Sequence, residues 1–265
     1  MNRIDELFER KRNLSQRSLI IYLTAGYPSL QISETLIKVL SDAGLDLLEL
    51  GVPFSDPIAD GPTIQKASAH SLEQGTTLAK ILDMVSRIRK NSQMPIVLFS
   101  AYNPLLKYGL KGLVERAADI GIDGFLAPDL PPEEAEEFMQ LCEARDLKLI
   151  FLVAPTTPET RKRLIADKST GFIYYVSTKG VTGAREQLSR DLQEQLRQLT
   201  SYTDKPVAVG FGISKPEHVE LVASFANGVV VGSALINLIE KHATSPDLSG
   251  EVRRFVEWLQ APLRR

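Results

Sequence analysis

Cysteine occurs once, at Cys142, so an intrachain disulfide is excluded, and no cluster of Cys and His offers a zinc site. No apolar stretch reaches the length of a membrane span. Neither sign of charge dominates: 31 Lys and Arg stand against 33 Asp and Glu, a net charge of −2. Long runs of one sign are missing too, which removes the electrostatic ground for nucleic acid or an anionic membrane as partner. The opening "MNRIDELFERKRNLSQRS" lacks the basic-then-apolar order of a signal peptide and reads as a charged amphipathic helix. A cytoplasmic chain is the expectation.

What is there is an ordinary globular balance, with 43% hydrophobic and 24% charged residues over 265 positions. Ile4, Leu7 and Phe8 share one helical face before the first apolar run, "SLIIYLTAG". Further short runs follow: "DLLEL", "MPIVLFS", "IDGFLAPDL", "LKLIFLVAP", "GFIYYVS", "KPVAVGFG" and "ANGVVVGS". Between them lie stretches of helical periodicity, such as "TTLAKILDMVSRIRK", "KGLVERAADIG", "PPEEAEEFMQLCEARD" and "ALINLIEKHA". Eight near-continuous apolar strands, each followed by a helix, imply a parallel sheet covered on both faces. A doubly wound open sheet accommodates the same alternation, usually with fewer strands. Closure into a (β/α)8 TIM barrel uses every element. No linker-like stretch interrupts the cadence, so one domain is expected over residues 1–265, with an extra helix at each end.

In such a barrel, chemistry sits at the carboxyl ends of the strands. Glu49 falls at the end of the second strand and shares parity with Leu47; if Leu47 faces the interior, so does Glu49. An isolated carboxylate there must raise its pKa or find a partner. The segment "PFSDPIADGP" that follows is stiffened by Pro53, Pro57 and Pro62 and carries Asp56 and Asp60 back over the mouth. Turn chemistry accounts for either Asp alone as well as function does. It does not account for the strand Glu as well.

Three later loops are glycine-rich: "STKGVTGA", "GFGIS" and "VVGSALI". Gly212 precedes a helix start for which Ser214 is a plausible cap, and Gly232 and Ser233 open the next helix. Backbone N–H groups at helix starts after the last two strands suit a phosphate.

"LELGVPFSDPIADGP", with "YLTAGYP", "YNPLLKYG", "PDLPPEEA", "KGVTGA", "GFGIS" and "VVGSALI", resembles the tryptophan synthase α-subunit family over nearly the whole chain. The resemblance implies a TIM barrel that cleaves indole-3-glycerol phosphate to indole and glyceraldehyde 3-phosphate by a retro-aldol step. It implies no metal or cofactor in this chain, with pyridoxal phosphate in a β subunit and an αββα complex. It makes Glu49 the general acid/base, Asp60 the carboxylate at the indole N–H, and Phe211 the aromatic against the ring. Gly183, Gly212, Gly232 and Ser233 match the phosphate loops; Tyr22, Leu126 and Tyr174 resemble pocket-lining positions. Asp56 and Thr182 match a pair that closes the site. The chain departs from the family pattern at Thr178 and Lys179, where an Arg often precedes Gly-Val-Thr-Gly.

Other readings stay open at this level. A stand-alone lyase would release free indole, and a docking subunit with a decayed site is opposed by the intact Glu49 and Asp60. A Schiff-base aldolase needs a desolvated Lys at a strand end, and Lys148 lies at the wrong end of its strand. Tyr102 and Asn103 either line the pocket or shape a turn. His70, His218, His242 and Trp258 read as surface or packing residues.

Overall fold

The computed structural model describes residues 1–58, 60–176, 185–210 and 212–264, with the backbone alone over 185–190. Among them run β1 (Ser18–Thr24), β2 (Leu47–Gly51), β3 (Ile96–Phe99), β4 (Gly124–Leu126), β5 (Lys148–Ile150), β6 (Leu152–Val153), β7 (Ile173–Val176), β8 (Val207–Gly210) and β9 (Gly228–Val231). All pair in parallel, in the order β5-β4-β3-β2-β1-β9-β8-β7-β6. The two ends of that order are neighbours in the chain with only Phe151 between them, so the sheet curls into a TIM barrel.

Nine strands rather than eight arise because the fifth apolar run changes partner midway. Lys148–Ile150 pairs with β4, Leu152–Val153 pairs with β7, and the Phe151 carbonyl accepts the Tyr174 N–H at 3.1 Å.

The helices are α1 (Arg3–Asn13), α2 (Leu30–Asp42), α3 (Pro62–Glu73), α4 (Leu78–Ile88), α5 (Tyr102–Tyr108), α6 (Leu110–Ile120), α7 (Glu136–Glu143), α8 (Glu159–Lys168), α9 (Arg185–Thr200), α10 (Pro216–Ala223), α11 (Ser233–His242) and α12 (Leu248–Gln260). Of these, α3 and α5 are not announced by apolar periodicity. The inward face of α3 is Ala67, Ser68 and Ser71, and α5 buries Leu105 alone. The acidic stretch after β4 becomes helical only at Glu136, because its prolines lie in a turn before Ala135. At the C-terminal end, α12 packs on α2, α10 and α11, and Gln260 Nε2 donates to the Gly44 carbonyl at 2.8 Å.

Alternate residues along each strand enter two different cores. Leu19, Ile21, Leu48, Leu50 and Leu98 belong to the layer between strands and helices. Ile20, Leu47, Val97, Leu126, Ile150, Ala208 and Val230 fill the barrel itself. Helix α1 completes this inner core with Ile4, Leu7 and Phe8, the last with its ring centroid 5.5 Å from that of Phe172.

The entry to α1 is pinned by Asn2. Its Oδ1 accepts the Ile4 N–H at 2.9 Å, and its Nδ2 donates to the carbonyls of Asp123 (2.9 Å) and Asp146 (2.6 Å). These carbonyls precede β4 and β5, so α1 stoppers the amino end of the barrel. Phe8→Ala is expected to lower the unfolding free energy by about 3 kcal/mol, the usual cost of emptying a buried aromatic site. Urea midpoints measure it, and a loss under about 0.5 kcal/mol, typical of a surface change, would remove α1 from the core.

Candidate active site

Glu49 sits in register between Tyr22 on β1 and Val97 on β3. Because Leu47 faces the barrel, Glu49 does too, and its exposure is 0%. Neither carboxyl oxygen has a hydrogen-bond partner among the described residues. Burial raises its pKa from 4.5 to about 8, since the charged form loses its hydration with no cation among the described residues in return. At neutral pH the group holds its proton.

Asp60 arrives from the loop between β2 and α3. Its N–H donates to the Pro57 carbonyl at 3.1 Å, and its own carbonyl accepts from Gln65 Nε2 at 2.8 Å. Beyond it, Pro62 starts α3, its fixed φ suiting a first helical turn. The loop is therefore held from both sides. Burial raises the Asp60 pKa from 3.8 to about 6, which leaves it ionised at neutral pH. Asp56 is exposed on the same loop and accepts the Ser55 hydroxyl at 2.6 Å.

Both acids bear on two phenols. Tyr22 is 5% exposed, and burial, then the charges of Asp60 and Glu49, push its pKa upward. Tyr174 is raised by burial and then by Glu49, Tyr22 and Asp60. Glycine makes the room for these rings. A Cβ on Gly51 would stand 2.1 Å from the Tyr22 hydroxyl oxygen, and one on Gly210 would stand 2.2 Å from that of Tyr174. The Tyr22 ring also meets Phe99 edge-on, with centroids 5.4 Å apart.

A cavity of about 150 Å³ opens above this cluster, with Tyr22, Asp56 and Asp60 on its wall. Glu49 is behind that wall, beside Tyr22. Leu126 lies in the apolar filling of the barrel, with no exposure. Sequence reasoning did not single out Val52, Phe54, Ile58, Phe99, Ala101, Pro128 and Asp129, which complete the wall with Pro57. For Phe99 a signal existed, its shared parity with Val97. Asp129 is placed by accepting the Tyr102 N–H at 2.8 Å, so Tyr102 and Asn103 serve the start of α5.

The glycine loops end at helix starts. Gly232 precedes α11, Ser233 is its first residue, and no side chain among the described residues caps it; the Gly232 carbonyl accepts the Leu235 N–H at 2.9 Å, so the first N–H groups of the helix stay available to an anion. Gly212 has φ +67°, a conformation glycine adopts freely. The start of α10 differs from the expectation. Lys215, not Ser214, is the cap, because Pro216 takes the first helical position; the Ser214 N–H is directed at His218 Nδ1, 3.4 Å away. Phe211, Gly183, Thr182, Thr178 and Lys179 lie outside the described residues.

Lys148 is far from the cluster, at the amino end of its strand, paired with Asp5 at 2.6 Å and Asp146 at 3.0 Å. The deeply buried Lys162 lies outside the barrel, donating to Gln195 at 2.7 Å and Gln198 at 3.1 Å on α9. Neither is placed for Schiff-base chemistry at the mouth. A larger hollow of about 610 Å³ beside α1, lined in part by Glu9, Arg12 and Arg17, is at the opposite end from Glu49 and Asp60. Among the described residues, no group of three or more His, Cys, Asp or Glu is placed to hold a metal, and no helix is long and apolar enough to cross a membrane.

The family model for the tryptophan synthase alpha chain matches residues 8–259. The tryptophan synthase alpha chain of Geobacter sulfurreducens is 47% identical over 260 residues, covering 98% of each chain. The crystal structure of tryptophan synthase subunit alpha from Legionella pneumophila superposes with a TM-score of 0.91 at 35% identity, covering 100% of this chain and 99% of that one. A chain of Mycobacterium tuberculosis tryptophan synthase gives 0.90 at 33% identity, with 100% and 99% covered.

Proposed function

The chain belongs to the tryptophan synthase alpha chain family, and from that premise we propose that Glu49 and Asp60 are the acid pair with which it cleaves indole-3-glycerol phosphate. It is a lyase of tryptophan biosynthesis that yields indole and glyceraldehyde 3-phosphate. Its partner is a β subunit, which carries the pyridoxal phosphate, in an αββα assembly; the alpha chain needs no cofactor of its own. The cytoplasm is the proposed location, in keeping with a lone, buried cysteine.

The carrying observation is the pair of unlike acids acting on the same two phenols: a fully buried carboxyl, without a hydrogen-bond partner among the described residues, that keeps its proton, and a second that gives its proton up. Environments that push two carboxyl pKa values apart assign the acid and the base. Rotation about the Glu49 side chain brings its proton to indole C3, which becomes tetrahedral, and the ring becomes an indoleninium cation. Ionised Asp60 faces the ring N–H and stabilises that charge. Glu49, now a carboxylate, takes the proton from the C3′ hydroxyl. The C3–C3′ bond breaks, its electrons return to the ring, and the aldehyde forms. Gly212, Gly232 and Ser233, with the helix starts behind them, hold the phosphate and orient the chain.

Incubating the purified chain with indole-3-glycerol phosphate should release indole. Its kcat/KM should follow a bell, with an acid limb near pH 6 as Asp60 ionises and an alkaline limb near pH 8 as Glu49 loses its proton. A flat profile across neutrality would overturn the assignment of these two roles.

A further inference from the structure

Asp60 is the member of the acid pair that no strand holds. The loop that carries it has few means of keeping a shape. Pro53, Pro57 and Pro62 have no N–H to donate. Its internal backbone bonds are the Ile58 N–H on the Asp56 carbonyl at 2.9 Å and the Asp60 N–H on that of Pro57 at 3.1 Å. Among the described residues, one side chain from outside the loop grips it by a hydrogen bond: Gln65 Nε2 donates to the Asp60 carbonyl at 2.8 Å.

We propose that Gln65 is the positioning residue for Asp60, holding the backbone of residue 60 so that its carboxylate meets the indole nitrogen. This rests on the charge-stabilising role of Asp60 given above. Gln65 is exposed and is not part of the cavity wall, so it acts through residue 60 and not on the substrate.

The helix behind it makes Gln65 a firm anchor. Helix α3 buries Ala67, Ser68 and Ser71. Its far end is tied to the segment after β1, where the Ser71 hydroxyl donates to the Ala25 carbonyl at 2.6 Å and His70 Nε2 to that of Pro28 at 2.9 Å. On its outer face Lys66 pairs with Glu240 of α11. The Gln65 N–H on the Gly61 carbonyl, at 3.0 Å, opens the helical ladder, and from there the side-chain amide reaches back to residue 60.

Two consequences follow from letting that amide go. A backbone shift of about 1 Å carries the carboxylate with it, and preorganised charge loses its effect when misplaced by that much. A loosened loop also admits water to Asp60, which relieves the burial that raises its pKa. The ionisable groups around Asp60 are Tyr22 from β1, Glu49 from β2, Tyr174 from β7, Asp56 from its own loop and Asp129 after β4. No cation stands among them, so water is what favours its charged form.

The test is Gln65→Met in the full chain, which keeps the length and helix preference of the side chain and removes the donor; circular dichroism and melting temperature establish that it is folded. The kcat for indole release should fall about fivefold, the effect of losing one hydrogen bond, with KM within about twofold. The acid limb should move down from near pH 6 toward the ordinary carboxylate range. The same substitution is then made in Asp60→Asn, which keeps the carbonyl that Gln65 grips and lacks the charge. There it should cost less than about twofold, because the charge it positions is already gone. An equal fivefold loss in both backgrounds would mean a general loosening of the mouth and overturns the proposal. So does a parental kcat and acid limb in Gln65→Met, or a raised KM at unchanged kcat. If Asp60→Asn itself cleaves normally, the acid-pair reading fails and this proposal with it; if it is slow while Gln65→Met behaves as the parent, only the present proposal fails.

Discussion

Glu49→Gln is expected to lose at least about a hundredfold in indole release and, at the same time, to become harder to unfold at neutral pH. Both effects have one origin. In the unfolded chain the carboxyl ionises near 4.5; in the barrel it keeps its proton up to about 8. Between those values the folded state binds the extra proton, so raising the pH across that window favours unfolding. At pH 7 the penalty is on the order of 3 kcal/mol, and below the unfolded value it vanishes. Glutamine has the same shape and no charge to desolvate. Melting temperatures should therefore separate by several degrees at pH 7 and converge near pH 4. Near-normal turnover would remove Glu49 from the chemistry, and parallel melting curves at both pH values would show that it does not titrate as a buried acid.

Asp60→Asn should cost a comparable factor, about a hundredfold or more in kcat/KM, for a different reason. Asparagine preserves the loop contacts from Pro57 and Gln65, which use the backbone of residue 60. It cannot supply the negative charge that meets the indoleninium ring. The profile of the residual activity distinguishes this from general damage. The acid limb near pH 6 should disappear while the alkaline limb near pH 8, which belongs to Glu49, stays in place. Substrate affinity should remain measurable, because the phosphate is held elsewhere. A variant that keeps both limbs and most of its rate would exclude Asp60.

The strands could be read from the sequence because both of their faces are covered, so runs such as "SLIIYLT" are apolar throughout. The inward direction of Glu49 followed from parity with Leu47, and the structure bears that out. What could not be read depends on closure. Nothing in "LKLIFLVAP" marks Phe151 as the point where one strand's partner gives way to another's. Helix α3 escaped notice because small residues pack against the loop after β1, where the Ser71 hydroxyl donates to the Ala25 carbonyl at 2.6 Å and His70 Nε2 donates to Pro28 at 2.9 Å. The wall of the cavity was the least legible part. Phe99 ends β3, and Ala101, Pro128 and Asp129 follow β3 and β4; strand pairing brings them to the same cavity as Asp60. Glu49 and Asp60 could be recognised earlier because they lie within one short segment.

With its amino end corked by α1, the barrel is a cup and not a tube. Among the described residues α1 fills that end, so arrival of the reactant and departure of the aromatic fragment both fall to the opposite rim. A second catalyst seated on that rim would take delivery of the fragment as it emerges. One attached beneath, on the α1 side, would have to fish it out of bulk water.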